Sequence, residues 1–284
     1  MAADRFVSIN GARIHYRVDG SGPPVLLIHG LGAFLESWSW TVPALRDHYT
    51  TIAFDFPGFG LSDALDEAYT PEGAAAFTLA FMDALAVRRA VLVGSSLGGT
   101  IATMVAGTAP DRCAALVLVS PAGFDVDATL MARLATLPLV GEMFIGVIRR
   151  SPRMGVRNAF IKRGQIPPQL IEAAQRYFRL GAAGRSCLRV VRATVGMSGI
   201  RPEIIGEVRT LASRITAPTL IIWGTRDRVV PPAHAVVAVR TIPDARVHLL
   251  DGAGHVPYIE DADAFNAAMM EFLSGVREPV GARR

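Results

Sequence analysis

At 284 residues with 51% hydrophobic side chains, the chain can form one large domain with a sizeable core, and extended disorder is excluded. The formal net charge is only +4, and no apolar run reaches the roughly 18–20 residues of a membrane span. Cys113 and Cys187 are the only cysteines, too few for a disulfide framework and without zinc-site spacing. With no signal-peptide core in Met1 to Arg5, the expected setting is cytoplasmic, with both thiols reduced.

Phe6–Ile9 and Ala12–Val18 flank Asn10-Gly11 and read as a β-hairpin, because Asn-Gly supplies the two positive φ angles of a tight turn. After the loop from Gly20 to Pro24, Val25-Leu26-Leu27-Ile28 is a continuous apolar run, the pattern of a strand buried on both faces. It ends in His29-Gly30-Leu31-Gly32. Thr50 to Phe54 is the next strand and ends in Asp55-Phe56-Pro57-Gly58-Phe59-Gly60-Leu61-Ser62-Asp63. A helix near Pro71 to Leu85 leads to the strand Ala90-Val91-Leu92-Val93, the segment Gly94-Ser95-Ser96-Leu97-Gly98-Gly99 and a small-residue helix from Thr100 to Ala106. Further strands are expected at Ala115–Val119, Thr219–Trp223 and Arg246–Leu250, with a last helix near Ala262 to Leu273 and a frayed tail from Gly275 to Arg284. Strands alternating with helices give an α/β fold with a mostly parallel central sheet flanked by helices.

The interval from 125 to 212 has helical periodicity and no convincing strand. It divides the chain into a core segment 1–124, a helical cap 125–212 and a second core segment 213–284. The cap holds thirteen arginines and one lysine against six acids, a net +8, so the rest of the chain is negative. This polarity is either a solvated arginine-rich face or a surface that attracts an anionic surface, carrier or substrate. Nucleic acid is not an expected partner, since no basic motif is interleaved with aromatics.

Strand, tight turn and helix around Gly94-x-Ser96-x-Gly98 is the setting of a nucleophile elbow, in which the central residue takes strained backbone angles. Ser96 stands midway between the glycines and is the candidate nucleophile; Ser95 lacks that frame. A serine hydroxyl needs an adjacent base, and the base needs a carboxylate to hold its tautomer. Asp227, beyond the strand ending in Trp223-Gly224, and His255, in the loop Asp251-Gly252-Ala253-Gly254-His255, supply both in the order Ser, Asp, His. Asp125 and Asp251 are alternative acids; Asp251 is expected to stabilise its loop. The N–H groups of Leu97, at a helix N-terminus, and Leu31, in a glycine-flanked loop, are the expected oxyanion donors. His29 is expected to be structural beneath that loop. His15, His48, His234 and His248 are expected to be ordinary surface or strand residues.

On these motifs the chain resembles an α/β-hydrolase over essentially its full length. The carriers are His29-Gly30-Leu31-Gly32, Asp55-x-Pro57-Gly58-x-Gly60-x-Ser62, Gly94-x-Ser96-x-Gly98, Gly224-x-x-Asp227 and Gly254-His255. Within that superfamily it resembles capped bacterial esterases, monoacylglycerol-lipase-like enzymes and meta-cleavage-product C–C bond hydrolases. Haloalkane dehalogenases and epoxide hydrolases use Asp at the elbow, where this chain has Ser96. The resemblance gives Asp55 a structural turn role. It implies hydrolysis of carboxylic esters of small to medium apolar acyl groups through an acyl-enzyme, with a small-molecule ester as partner and no cofactor or metal. Two alternatives stay open: C–C hydrolysis of a diketone, with Arg189 or Arg192 holding an anionic dienol, and a ligand receptor on a hydrolase scaffold. Gly32, Trp38, Phe124, Phe144 and Val256 are candidate substrate contacts. Met131, Leu137, Ile148 and Phe160 are cap residues that could face an acyl pocket.

Overall fold

The computed structural model describes residues 2–161, 164, 166–180 and 182–276. Residues 277–284, where most of the expected frayed tail falls, lie outside the described residues, as does Lys162. Eight strands form one sheet in the order β1-β2-β4-β3-β5-β6-β9-β10: β1 (Arg5–Ile9), β2 (Ala12–Asp19), β3 (Pro24–Ile28), β4 (Thr50–Phe54), β5 (Ala90–Ser95), β6 (Cys113–Val119), β9 (Thr219–Gly224) and β10 (Ala245–Leu250). The two N-terminal pairings are antiparallel and the others parallel. Asn10 and Gly11 have φ of 49° and 82°, which is the expected hairpin turn.

The apolar runs are buried on both faces. Along β3, Leu26 and Ile28 enter one core cluster, and Val25 and Leu27 enter the other. The first face is covered by α2 (Pro71–Ala84), α3 (Leu97–Thr108), α9 (Pro202–Ala212) and α10 (His234–Thr241). The second face is covered by α1 (Val42–Leu45), α11 (Pro257–Glu260) and α12 (Ala262–Gly275). In α12, Phe265, Met269, Phe272 and Leu273 are buried, the stripe expected of a helix lying on a sheet. Each such side chain contributes about 1.5–3 kcal/mol by burial.

Between β6 and β9 the chain leaves the sheet as α4 (Leu130–Ala135), α5 (Val140–Arg150), α6 (Pro152–Ala159), α7 (Pro168–Arg179) and α8 (Ala182–Thr194). A two-residue hairpin, β7 (Val195–Gly196) with β8 (Gly199–Ile200), follows before α9. This pairing corrects the expectation of an interval without strands. Two residues per strand are too few to show an alternating period in the sequence.

Asp55 ties the loops at the carboxyl end of the sheet together. One carboxylate oxygen accepts from Leu35 N (2.8 Å), and the other from Leu61 N (2.9 Å) and His15 Nδ1 (2.7 Å). A Cβ at Gly60 would run into that carboxylate. The structural role implied for Asp55 thus has a physical basis, but His15 is no ordinary strand residue. It is fully buried, and its Nε2 faces Asp4 Oδ1 at 3.0 Å. Burial alone would depress its pKa; the hydrogen bonds and charges of Asp55 and Asp4 outweigh burial and raise it above 6.5. The folded state therefore holds this proton more tightly than the unfolded chain. The resulting stabilisation is complete below the unfolded value and is lost as pH rises through the folded one. The melting-temperature gap between wild type and His15→Gln should therefore narrow from pH 6 to pH 9. A gap independent of pH would contradict the buried imidazolium.

Candidate active site

Ser96 joins β5 to α3 with φ 54° and ψ −118°, a conformation that costs an L-residue on the order of 1–3 kcal/mol. The glycine frame has a steric cause. A Cβ at Gly94 would strike the Gly98 carbonyl, and one at Gly98 would strike the Ile28 carbonyl. Ser96 N donates to Val119 O (2.9 Å), and its carbonyl accepts from Gly99 N and Thr100 N (2.9 and 3.1 Å). The turn is thereby pinned to both β6 and α3. Ser95 is buried at the end of β5 and does not share the strained backbone, since its φ is not positive.

Asp227 and His255 lie on adjacent loops that the chain holds in close register. A Cβ at Gly224 would collide with the Ala253 and Gly254 carbonyls. Arg226 N donates to Ala253 O (2.9 Å), and Thr225 Oγ1 donates to Asp251 Oδ1 (3.0 Å). Asp251 thus stabilises its loop, as expected. Asp227 is buried. Its Oδ1 accepts from Val229 N and Val230 N (2.8 and 3.0 Å), and its Oδ2 pairs with His255 Nδ1 at 2.8 Å. With Nδ1 donating to the carboxylate, Nε2 keeps a lone pair. Asp125 makes no contact with His255; its Oδ1 accepts from Val126 N at 2.8 Å and lies 3.7 Å from Arg209.

Ser96, His255, Gly30, Leu31 and Gly32 line one cavity of about 320 Å³. A Cβ on Gly30 would stand 3.2 Å from Ser96 Cβ, so this loop passes directly beside the serine. The N–H groups of Leu31 and Leu97 have no acceptor among the described residues. His29 fixes the loop from below: its Nδ1 donates to Gly30 O (2.8 Å), and its Nε2 accepts from Phe56 N (3.0 Å). Burial lowers its pKa, in keeping with a neutral ring that donates once and accepts once.

Phe144, Val256, Met131, Ile148 and Phe160 line the same cavity. Trp38, Phe124 and Leu137 do not, which corrects three sequence expectations. Trp38 is fully buried and stacks on Tyr258 with ring centroids 4.5 Å apart, and Phe124 is buried within the core. Leu137 is instead exposed. Apolar periodicity distinguishes buried from exposed positions but not core from pocket. A second cavity of about 140 Å³ shares Ser96, Leu31, Thr129 and Val191 with the first and extends to Thr194 and Asp127. Cys187 faces the larger cavity, but burial pushes its thiol up to about 12, so it is no thiolate nucleophile.

Two supporting residues were not foreseen. Glu260 Oε1 accepts from Gly254 N (3.1 Å), and its Oε2 accepts from Ile161 N (3.0 Å), tying the histidine loop to the inserted helices. His234, expected to be ordinary, is buried, and its Nε2 pairs with Asp127 Oδ2 at 3.0 Å. Neither pairing leaves a local sequence signal, because the partners are far apart in the chain. Arg189 pairs with Asp66, and Arg192 with Glu142 at 2.9 Å. Neither arginine lines either of the two cavities at Ser96, and no other arginine or lysine does so among the described residues. No cluster of three or more potential metal ligands occurs among the described residues.

The model of the alpha/beta hydrolase family matches residues 25–268. The chain is 32% identical over 277 residues to the dihydrolipoyllysine-residue acetyltransferase component of the acetoin cleaving system of Cupriavidus necator, a match covering 96% of this chain and 70% of that one. It is 30% identical over 281 residues to a 2-hydroxy-6-oxo-6-phenylhexa-2,4-dienoate hydrolase of Burkholderia cepacia, covering 95% and 96% of the two chains. The crystal structure of the enol-lactonase from Burkholderia xenovorans LB400 superimposes with a TM-score of 0.78 at 25% identity, over 95% of this chain and all of the other. With the motifs, the sheet order and the family model in agreement, the chain belongs to the alpha/beta hydrolase family.

Proposed function

We propose that the protein is a serine hydrolase that cleaves carboxylic esters of small to medium apolar acyl groups through an acyl-enzyme. The observation that carries this reading is a strained serine sharing one apolar cavity with a histidine whose Nδ1 is held by a buried carboxylate. Ser96 attacks the ester carbonyl as His255 Nε2 takes its proton. The Leu31 and Leu97 N–H groups receive the developing oxyanion. His255 then protonates the leaving alcohol, and water activated by the same base releases the acid. No step calls on a metal or organic cofactor. Helices α4 to α8 act as a cap over the site, whereas α9, which the sequence placed in the cap, packs on the sheet.

The larger cavity lies at the small end of ligand sites and suits a compact acyl group; the smaller one, across Ser96, suits the alcohol. The relatives keep C–C hydrolysis as a second reading, because a dienoate hydrolase shares 30% identity. A dienoate carries a carboxylate, whereas the described lining offers no cation and one acid, Asp127. That charge balance favours neutral esters.

A panel of p-nitrophenyl esters from acetate to palmitate, with 2-hydroxy-6-oxo-6-phenylhexa-2,4-dienoate alongside, tests the assignment. The expected result is highest kcat/KM on short and medium acyl chains and turnover of the dienone at least 100-fold lower. Faster dienone cleavage would transfer the assignment to C–C hydrolysis. Stoichiometric binding without turnover of any substrate would support a receptor.

A further inference from the structure

The helices that enclose the larger cavity carry an unusual outer surface. On α5, Phe144, Ile145 and Ile148 turn inward and line the cavity. The opposite face presents Met143 (69% exposed) and Val147 (43%), with Leu139 (76%) at the helix start. A helix surface facing water places polar residues at such positions. Leu139 adds a second anomaly: its φ is 67°, a left-handed conformation that glycine or asparagine adopts at lower cost. Leu139 is thus a bulky apolar side chain in a strained conformation and the most exposed large hydrophobic residue among those described. Met154 on α6 is also exposed.

Arg149 and Arg150 end α5, and Arg153 and Arg157 lie on α6; all four are exposed and in no ion pair among the described residues. The only acid between 139 and 161 is Glu142, which is paired with Arg192. Apolar side chains beside uncompensated arginines are the composition of a helix that lies in a lipid interface.

We propose that the outer face of α5 and α6 docks on an anionic lipid surface and brings bilayer-borne esters to the cavity mouth, which deepens the ester-hydrolase reading and rests on it only for what is delivered. Charge complementarity selects this occupant. A second copy of the chain in a two-fold contact would set these arginines against their own image. A nucleic acid would neutralise the arginines but leave Leu139, Met143 and Val147 in water. Near an anionic bilayer each arginine raises partitioning roughly fivefold, and the apolar side chains add to this by entering the headgroup region.

The test is co-sedimentation of the full-length protein with phosphatidylcholine vesicles, with and without phosphatidylglycerol, at low and high salt. Binding is expected to the anionic vesicles alone and to weaken with salt. Two separate variants, Leu139→Asp with Met143→Asp and Arg150→Glu with Arg153→Glu, should each lower partitioning roughly 25-fold or more. Both should retain wild-type turnover of water-soluble p-nitrophenyl acetate, since none of these four side chains lines the cavity. No binding to anionic vesicles, or binding that neither variant weakens, would overturn the proposal. So would light scattering that shows a dimer dissolved by the apolar variant, which would make this face an interface between copies. Sedimentation is read without turnover, so failure of docking is distinct from failure of the ester assignment.

Discussion

Ser96→Ala should abolish ester turnover, with a loss on the order of 10⁴–10⁶-fold, while the protein remains folded. Alanine removes only the hydroxyl and inherits the same strained backbone, so the melting temperature should stay near wild type. Ser96→Gly should separate chemistry from stability. It removes the nucleophile but relieves φ 54°, and on the order of 1 kcal/mol of stability should be gained once glycine's greater unfolded-chain entropy is offset. Ser95→Ala is the control. Ser95 lies at the end of β5 outside the strained turn, and its loss should leave most of the rate. If Ser95→Ala is inert and Ser96→Ala active, the nucleophile has been misassigned.

Asp227→Asn should lower kcat/KM by roughly 10³–10⁴-fold, and the hydrogen bonds around the carboxylate give the reason. Oδ1 accepts from two backbone N–H groups, Val229 and Val230. An asparagine there must place its carbonyl oxygen towards those donors, which turns its NH₂ towards His255 Nδ1. The imidazole then has to accept at Nδ1 and carry its proton on Nε2, so the lone pair needed as base points the wrong way. Asp125→Asn and Asp251→Asn should cost far less, because neither carboxylate touches His255. A near-normal rate for Asp227→Asn with a collapse for Asp125→Asn would move the acid to the loop after β6.

The parts of this architecture legible in the chain were those with local causes. Val25 to Ile28 reads as a strand because burial on both faces demands an unbroken apolar run, and the core clusters on the two faces share that run between them. Ser96 reads from its glycine frame, because backbone carbonyls stand where Cβ atoms would be. Asp227 and His255 read from their places just beyond strand ends. The illegible parts were those set by distant partners. Trp38 and Phe144 are both large and apolar, but Trp38 is fully buried against Tyr258 and only Phe144 lines the cavity. His15 and His234 gave no sign of their carboxylate partners, which lie on other elements. Glu260 reaches across to the inserted helices through a contact of 99 positions' separation, beyond any local pattern.

Active-site labelling with a fluorophosphonate, followed by intact-mass and peptide analysis, tests directly whether Ser96 is the nucleophile. A phosphonate traps the attacking oxygen irreversibly, whichever later step limits turnover. One label per chain is expected, located on Ser96, with ester hydrolysis lost in proportion to labelling and neither labelling nor hydrolysis in Ser96→Ala. A label on another residue, or ester hydrolysis that persists in fully labelled protein, would contradict that assignment.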